Sequence, residues 1–366
     1  MSPRRRSRRR TAPPSPPPAS LPDADDMLRE ILLRLPPRPS SLPRASLVCK
    51  RWRCIVSDPQ FQRRFRAHHG KAPLLGFFLD KPFSCPFVPM LDRPDRVPGA
   101  RFSMPLYESN RIIDCRHGLV LFLSPWPSRR LLVWDPVARE QRRLVSPPEL
   151  DSDQMFIFNA AVLRPARGHG CHFQVALVAR DRAWTRVSVC LFSSETGIWS
   201  NIKSLQLKSM IPLEQASTLV GNSLCWLLPV RGQNAILEFD LDKQTLAVTE
   251  PPAPVEPDCQ KLWIMPAEDG GLGFIHLSQF RAQLSKRKSD SDGLDVWVLG
   301  RAIEFEELRL TCTGNSLALV GFAEETEFRK LSSLSVFCRH YPFACFYPAG
   351  TGIDDGHGGD EMFNNI

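Results

Sequence analysis

No run of apolar residues in this chain approaches the ~20 that a bilayer crossing requires. No apolar stretch follows the charged N-terminus either, so neither a spanning helix nor a secretory leader is expected. The 11 cysteines are odd in number and scattered along 366 residues, the distribution of reduced thiols rather than of a disulfide framework. An intracellular protein of the nucleus or cytoplasm, with no membrane partner, is the expectation. The motifs of common chemistries are missing too: no P-loop, no GxGxxG after a strand, no GxSxG elbow, no HExxH and no CxxC pair. "HGCH" at 169–172 and "CRHYPFAC" at 338–345 gather Cys and His without the paired spacing of a structural zinc site. The expectation is therefore no catalytic residue, no metal and no cofactor.

What is present is unevenly placed. Residues 1–70 hold 16 Lys+Arg against 5 Asp+Glu, whereas the rest of the chain holds 31 against 34. The basicity belongs to one end. "MSPRRRSRRRTAPPSPPPAS" joins six arginines to a Pro/Ser/Ala stretch that buries too little apolar surface to offset its ordering entropy, so residues 1–20 are expected to be a disordered tail. Such a run suits nuclear import or a salt-sensitive nucleic-acid contact. A chain of this length suggests two units.

Helical spacing follows at once. "DDMLREILLRL" places Met27, Leu28, Ile31, Leu32 and Leu35 on one face, with Asp25 and Asp26 at the positive end of the dipole and Pro36-Pro37 as a stop. A second helix is expected from Leu42 through Ala45, Val48, Cys49, Trp52, Ile55 and Val56. Asp58-Pro59 caps a third, "PQFQRRFRAHH", which Gly70 ends. Three short helices cannot hide this much apolar surface from water, and the excess needs a partner groove.

The stretch "DDMLREILLRLPPRPSSLPRASLVCKRWRCIVSDPQFQRRFRAHH" resembles an F-box of plant F-box proteins, over residues 21–69. The resemblance implies docking on a Skp-family adaptor and, through it, a cullin. It implies that Leu28, Ile31, Leu32, Leu35, Pro36, Leu42, Val48, Cys49 and Trp52 divide between the module's core and the adaptor, with Leu35, Pro36 and Trp52 expected on the partner side. Leu21-Pro22, which the family sets eight residues before the isoleucine of the first helix, stands ten before Ile31. The leading anchor is displaced by two residues.

From residue 74 the period changes. Short apolar runs bounded by Gly, Pro, Asn, Asp or Ser recur, among them "LLGFFLD", "GLVLFLS", "QMFIFNAAVL", "HFQVALVA", "RVSVCLFSS", "NSLCWLL", "AILEFDL", "DVWVLG" and "SLALVGF". A loose repeat starts at 131, 189, 235 and 295, and three of its copies follow a Gly-containing strand. Repeats near 50 residues suggest propeller blades, with a β-sandwich as the other option. The fold expected is α+β: a small N-terminal three-helix F-box, then a mostly antiparallel, propeller-like β domain over 74–337, of the kind that plant F-box proteins carry for binding targets. Residues 338–366 lack a period and are expected to form an irregular tail that leaves a strand edge open.

The function that follows is substrate recognition for an SCF-type cullin-RING ubiquitin ligase, without catalysis, for an unknown protein target. The alternative is a nucleic-acid-associated protein using the arginine-rich tail.

Overall fold

A computed structural model describes residues 24–81, 83–102, 104, 110–125, 130–150, 154–164, 172–207, 216–230, 233–251, 262–267, 269–278, 281–289, 295–304 and 339–347. The arginine-rich leader, Leu21-Pro22, "HGC" at 169–171 and "SLALVGF" lie outside these residues. The chain divides into two compact units, the helices through Lys71 belonging to one and Ala72–Phe346 forming the other.

Among the described residues the helical unit has four helices where the spacing predicts three. α1 (Ala24–Leu33) begins with Asp25 and Asp26 in its first turn and buries Leu32 and Leu33. α2 (Ser41–Ser46) and α3 (Lys50–Ser57) replace the single second helix. α4 (Pro59–His69) starts and stops where the sequence says. Asp58 Oδ1 accepts the Gln60 backbone N–H at 3.0 Å, and Gly70, at φ +66°, donates its N–H to the Arg66 carbonyl at 2.9 Å. Phe61 and Phe65, one turn apart, fill the centre with Leu42, Ala45, Ile55 and Val56. His69 at the end of α4 lies with Nε2 3.1 Å from the Leu33 carbonyl oxygen. A carbonyl can only accept, so that nitrogen carries the proton and satisfies an orphan acceptor at the end of α1.

The second unit is antiparallel β. β1 (Leu74–Asp80) and β2 (Phe87–Pro89) open it. A sheet follows of β3 (Arg111–Arg116), β4 (Leu119–Leu123), β5 (Leu131–Asp135) and β6 (Glu140–Leu144). The next holds β7 (Met155–Leu163), β8 (Gln174–Asp181), β9 (Arg186–Ser193), β10 (Ile198–Trp199) and β11 (Lys203–Gln206). Then come β12 (Thr218–Val220), β13 (Ser223–Val230), β14 (Gln233–Asp240) and β15 (Thr245–Thr249). β16 (Leu262–Pro266), β17 (Leu272–Ser278), β18 (Arg281–Ser289) and β19 (Asp295–Glu304) make another. Finally β20 (Arg339–Ala344) returns to pair with β1, giving the order β2-β1-β20. The sheets β3–β6, β12–β15 and β16–β19 are meanders, as is β7–β10, with β11 pairing β9 beside it; the sheets meet in sequence: β20 on β3, β3 and β4 on β7, β11 on β15, β12 and β13 on β16. Five such sheets, among the described residues, make a β-propeller.

Both faces of the middle sheets are buried. Along β8, Val175, Leu177 and Ala179 join the core shared with the sheet of β3–β6, while Ala176 and Val178 join the core with Trp226, Leu237 and Phe239 on the other side. That is why these strands read as continuous apolar runs rather than alternations. The repeat is a hairpin of third and fourth strands in three copies, β5–β6, β9–β10 and β14–β15. The copy from Asp295 is instead the single strand β19, and its partner β18 is the third strand of that sheet. Arg281, Lys286, Arg287 and Lys288 hide β18 from a search for apolar runs.

The segment expected as an irregular tail supplies β20. Its Pro342 sits opposite Phe77, which an edge strand tolerates because its outer N–H row needs no ladder partner. Phe343 joins Phe78, Phe87 and Phe102, at centroid distances of 5.2, 6.1 and 5.4 Å respectively. Tyr341 donates its hydroxyl to the Ile112 carbonyl on β3 at 2.6 Å. Gly76 on β1 has no room for a side chain: a Cβ would lie 2.2 Å from the Val88 carbonyl oxygen and 2.6 Å from the Phe87 ring.

Polar ties join neighbouring sheets. A bulge in β3 between Ile112 and Asp114 turns Asp114 toward β7, where Oδ2 accepts the Val162 N–H at 2.8 Å. Burial raises the Asp114 pKa, and the Arg116 guanidinium 3.6 Å away opposes that. Arg116 Nη2 also reaches Ser217, its carbonyl at 2.5 Å and hydroxyl at 3.1 Å. In the β3–β4 turn His117 takes φ +54°. Its Nδ1 accepts the Arg164 N–H at 3.1 Å, Arg164 Nε donates to the His117 carbonyl at 3.0 Å, and Arg164 Nη2 donates to Asp135 at 2.6 Å.

Partial desolvation of His117, with the Arg116 and Arg164 guanidiniums, lowers its pKa from 6.5 to about 4, although the residue is exposed at the surface. The unfolded chain therefore takes up this proton near pH 6.5 and the folded chain only near 4. The stability it contributes is complete above the higher value and is lost as pH falls through the lower one. His117→Asn keeps an acceptor for Arg164 and tolerates positive φ. It is expected to shrink the fall in urea midpoint between about pH 7 and about pH 4.5. A fall as steep as in the unsubstituted chain would show that His117 carries none of it.

Candidate functional site

The helical unit completes its core and still leaves apolar side chains in water. Met27 and Ile31 on α1 are 57% and 56% exposed, and Leu47 and Val48 between α2 and α3 are 75% and 61% exposed. Met27 and Ile31 line a groove of about 330 Å³ with Asp26, Glu30 and Arg34. Burying an aliphatic side chain contributes roughly 1.5–3 kcal/mol, so four left outside amount to a substantial free energy that only another surface can recover.

The break that exposes Leu47 and Val48 is held by hydrogen bonds on either side of it. Leu47 and Val48 return their N–H groups to Arg44 at 3.1 Å and Ala45 at 3.2 Å, the i to i+3 bonds of a tightened last turn. Ser46 Oγ donates to the Pro43 carbonyl at 2.6 Å, the back-bonding that weakens and bends helices. The Ser46 carbonyl then accepts Arg53 Nε at 3.2 Å, where a continuing helix would offer the Lys50 N–H. Cys49 is extended, at φ −162° and ψ 171°, and α3 begins after it.

This places the residues expected at a partner surface. Ile31, Pro36, Val48 and Cys49 are exposed, and Leu28, Leu35 and Trp52 half-buried. Leu32 and Leu42 are buried in the unit's own core. These two fall on the core side of that division and hold the frame. Met27 and Leu47, absent from the expected set, are exposed beside it. Leu47 falls off the apolar stripe of a continuous helix, which is why the spacing leaves it out of the set.

The cations around Trp52 are partly engaged within the unit. Arg51 pairs with Asp25 and Arg53 caps Ser46, while Lys50 is exposed. Arg64 pairs with Glu30 at 3.0 Å.

Groups suited to catalysis or metal binding do not converge among the described residues. No cluster of three or more His, Cys, Asp or Glu there could hold a metal ion. The seven described cysteines are all free. Burial, with Glu149 near Cys190 and Glu238 near Cys225, pushes both thiols up to about 12, the opposite of an activated nucleophile. On β18, Lys286 pairs with Asp269 at 3.0 Å and Arg287 with Glu238 at 2.5 Å, so this basic run serves the fold. Nor is any helix among the described residues long and apolar enough to cross a membrane.

A small helical unit with an unspent apolar rim, followed by a propeller, defines an F-box protein. The F-box domain matches over residues 24–64. Over residues 111–318, more than half of the chain, the match is to the family described as F-box protein AT5G49610-like, beta-propeller. The chain belongs to that family. Similar proteins include the Arabidopsis thaliana F-box/kelch-repeat protein At3g61590, 28% identical over 191 residues that cover 49% of this chain and 44% of that one. The Arabidopsis thaliana F-box protein At5g03970 is 26% identical over 274 residues, 69% of this chain and 62% of that one. The chain thus spans less than two thirds of either relative. Among solved structures, the Dos1 propeller superposes at a TM-score of 0.36 with 10% identity, over 62% of this chain and 58% of its own.

Proposed function

We propose that the chain is the substrate-recognition subunit of an SCF-type cullin-RING ubiquitin ligase. The helical unit docks on a Skp-family adaptor through Met27, Ile31, Leu35, Pro36, Leu47, Val48, Cys49 and Trp52, and the propeller holds a target protein. The observation that carries this reading is the helix break, which turns Leu47 and Val48 outward from a unit whose core is already closed by Leu32, Leu42, Phe61 and Phe65. No chemistry is asked of the receptor: tethering raises the target's effective concentration near a conjugating enzyme. Titrating the full chain with purified Skp-family adaptor tests this. A 1:1 complex with a dissociation constant of about 1 µM or tighter, roughly −8 kcal/mol, is the expected result. No heat and no co-elution at tens of micromolar would end the reading.

The arginine run at residues 4–10 motivates a second reading, a contact with nucleic acid. It requires RNA or DNA affinity that falls steeply with salt and disappears when residues 1–10 are removed. Affinity that survives the truncation excludes it.

A further inference from the structure

The exposed rim depends on a break that its own residues do not encode. Leu47, Val48 and Cys49 include neither Gly nor Pro, and Val48 and Cys49 continue the helical stripe from Leu42 to Val56. A continuous helix over this stretch is therefore a real competitor, and it would carry Leu47 and Val48 to other faces. What holds the bent form comes from outside the break. Arg53 Nε donates to the Ser46 carbonyl at 3.2 Å, while the Arg53 backbone N–H donates to the Cys49 carbonyl at 3.1 Å. One residue thus closes the end of α2 with its side chain and opens α3 with its main chain. Ser46 is itself buried and committed through Oγ to Pro43, so the guanidinium meets a fixed acceptor. Across the same unit, Arg51 and Arg64 form ion pairs with Asp25 and Glu30 on α1, whereas Arg53 bonds a main-chain carbonyl.

From this geometry we infer that Arg53 is a positioning residue for adaptor docking: it fixes the α2–α3 break and so aims Leu47 and Val48, without itself forming the contact surface. The inference rests on the docking reading above and adds to it the device that presents the site. Its chemistry is local, a cation on an uncharged acceptor. The acceptor is a carbonyl, so the bond is weakly sensitive to salt, unlike a contact between Arg53 and an acidic adaptor side chain.

The test uses the full chain in three forms, unsubstituted, Arg53→Met and Arg53→Lys, with adaptor affinity measured at low and high salt and amide hydrogen exchange followed in the unbound chain. Arg53→Met keeps most of the aliphatic stem and removes the donor. It is expected to weaken adaptor binding about ten-fold or more at both salt concentrations, an effect on the scale of a lost charge-assisted hydrogen bond. Exchange should change at the amides of residues 47–50 while α1 and α4 keep their protection. Arg53→Lys, which restores a donor, should recover part of the affinity. Equal binding by Arg53→Met overturns the inference, and so does a deficit that vanishes at high salt, which would mark a direct charge contact. Loss of protection across all four helices overturns it as well, since Arg53 would then be supporting the whole unit. If the unsubstituted chain fails to bind, the docking reading fails, and exchange at residues 47–50 still decides whether Arg53 holds the break.

Discussion

Phe343→Ala is expected to destabilise the propeller by about 3–5 kcal/mol, the range for emptying a buried aromatic site. Phe343 is fully buried, and its ring meets those of Phe78, Phe87 and Phe102 edge-on. Three rigid rings line the site, and Gly76, opposite Phe343, lies against the Phe87 ring and the Val88 carbonyl, so these neighbours leave little scope for collapse into the space. The position also has a topological weight. β20 is the strand that brings the far end of the unit back to β1, and Tyr341 then ties it to β3 in the next sheet. Tyr341→Phe, which leaves the Ile112 carbonyl without this donor, should cost a further 1–2 kcal/mol or about that. Urea unfolding followed through the buried tryptophans measures both. A control is available in Phe83, 66% exposed in the loop between β1 and β2, where Ala should move the midpoint by no more than about 0.5 kcal/mol. A Phe343→Ala chain as stable as the control would mean that β20 does not close the ring.

The same strand shows where reading a sequence reaches its limit. "RHYPFA" has no alternation, carries a proline, and pairs with residues more than 250 positions earlier; no local signal announces such a pairing. β18 is hidden for a different reason, since its Lys/Arg set is polar on a strand held mainly by its neighbours' ladders. The strands that could be read directly were those buried on both faces, because burial there forces an unbroken apolar run. In the helical unit, edges set by chemistry of single residues were legible: Asp58-Pro59, Gly70 and the stop before Pro36-Pro37. The α2–α3 break was not, because it is made by Arg53 bonding to Ser46, a contact across seven residues that leaves the apolar period intact. The candidate surface inherits that gap. Leu32 and Leu42 sit on the stripe and go to the core, while Leu47 sits off it and goes to the surface.

Leu47→Asp with Val48→Asp is expected to reduce adaptor affinity by at least about a hundred-fold. Two aliphatic side chains transferred from water into a partner's groove contribute roughly 3–6 kcal/mol together, and a carboxylate in each place adds a desolvation cost. Because both side chains stand in water in the free chain, the change should leave the helical signal and the melting of the unbound protein nearly untouched. This separates docking from folding. Leu42→Asp would also abolish binding, but Leu42 is 4% exposed, so an unpaired charge there should unfold the helices and the two losses would appear together. Trp52, half-buried, should fall between, with Trp52→Ala weakening binding and lowering stability in one variant. The order of these outcomes is the sharp part. Should the double aspartate bind adaptor as well as the unsubstituted chain while the Trp52 variant does not, the contact would lie on the α3 face, and the break between α2 and α3 would be a feature of the fold alone.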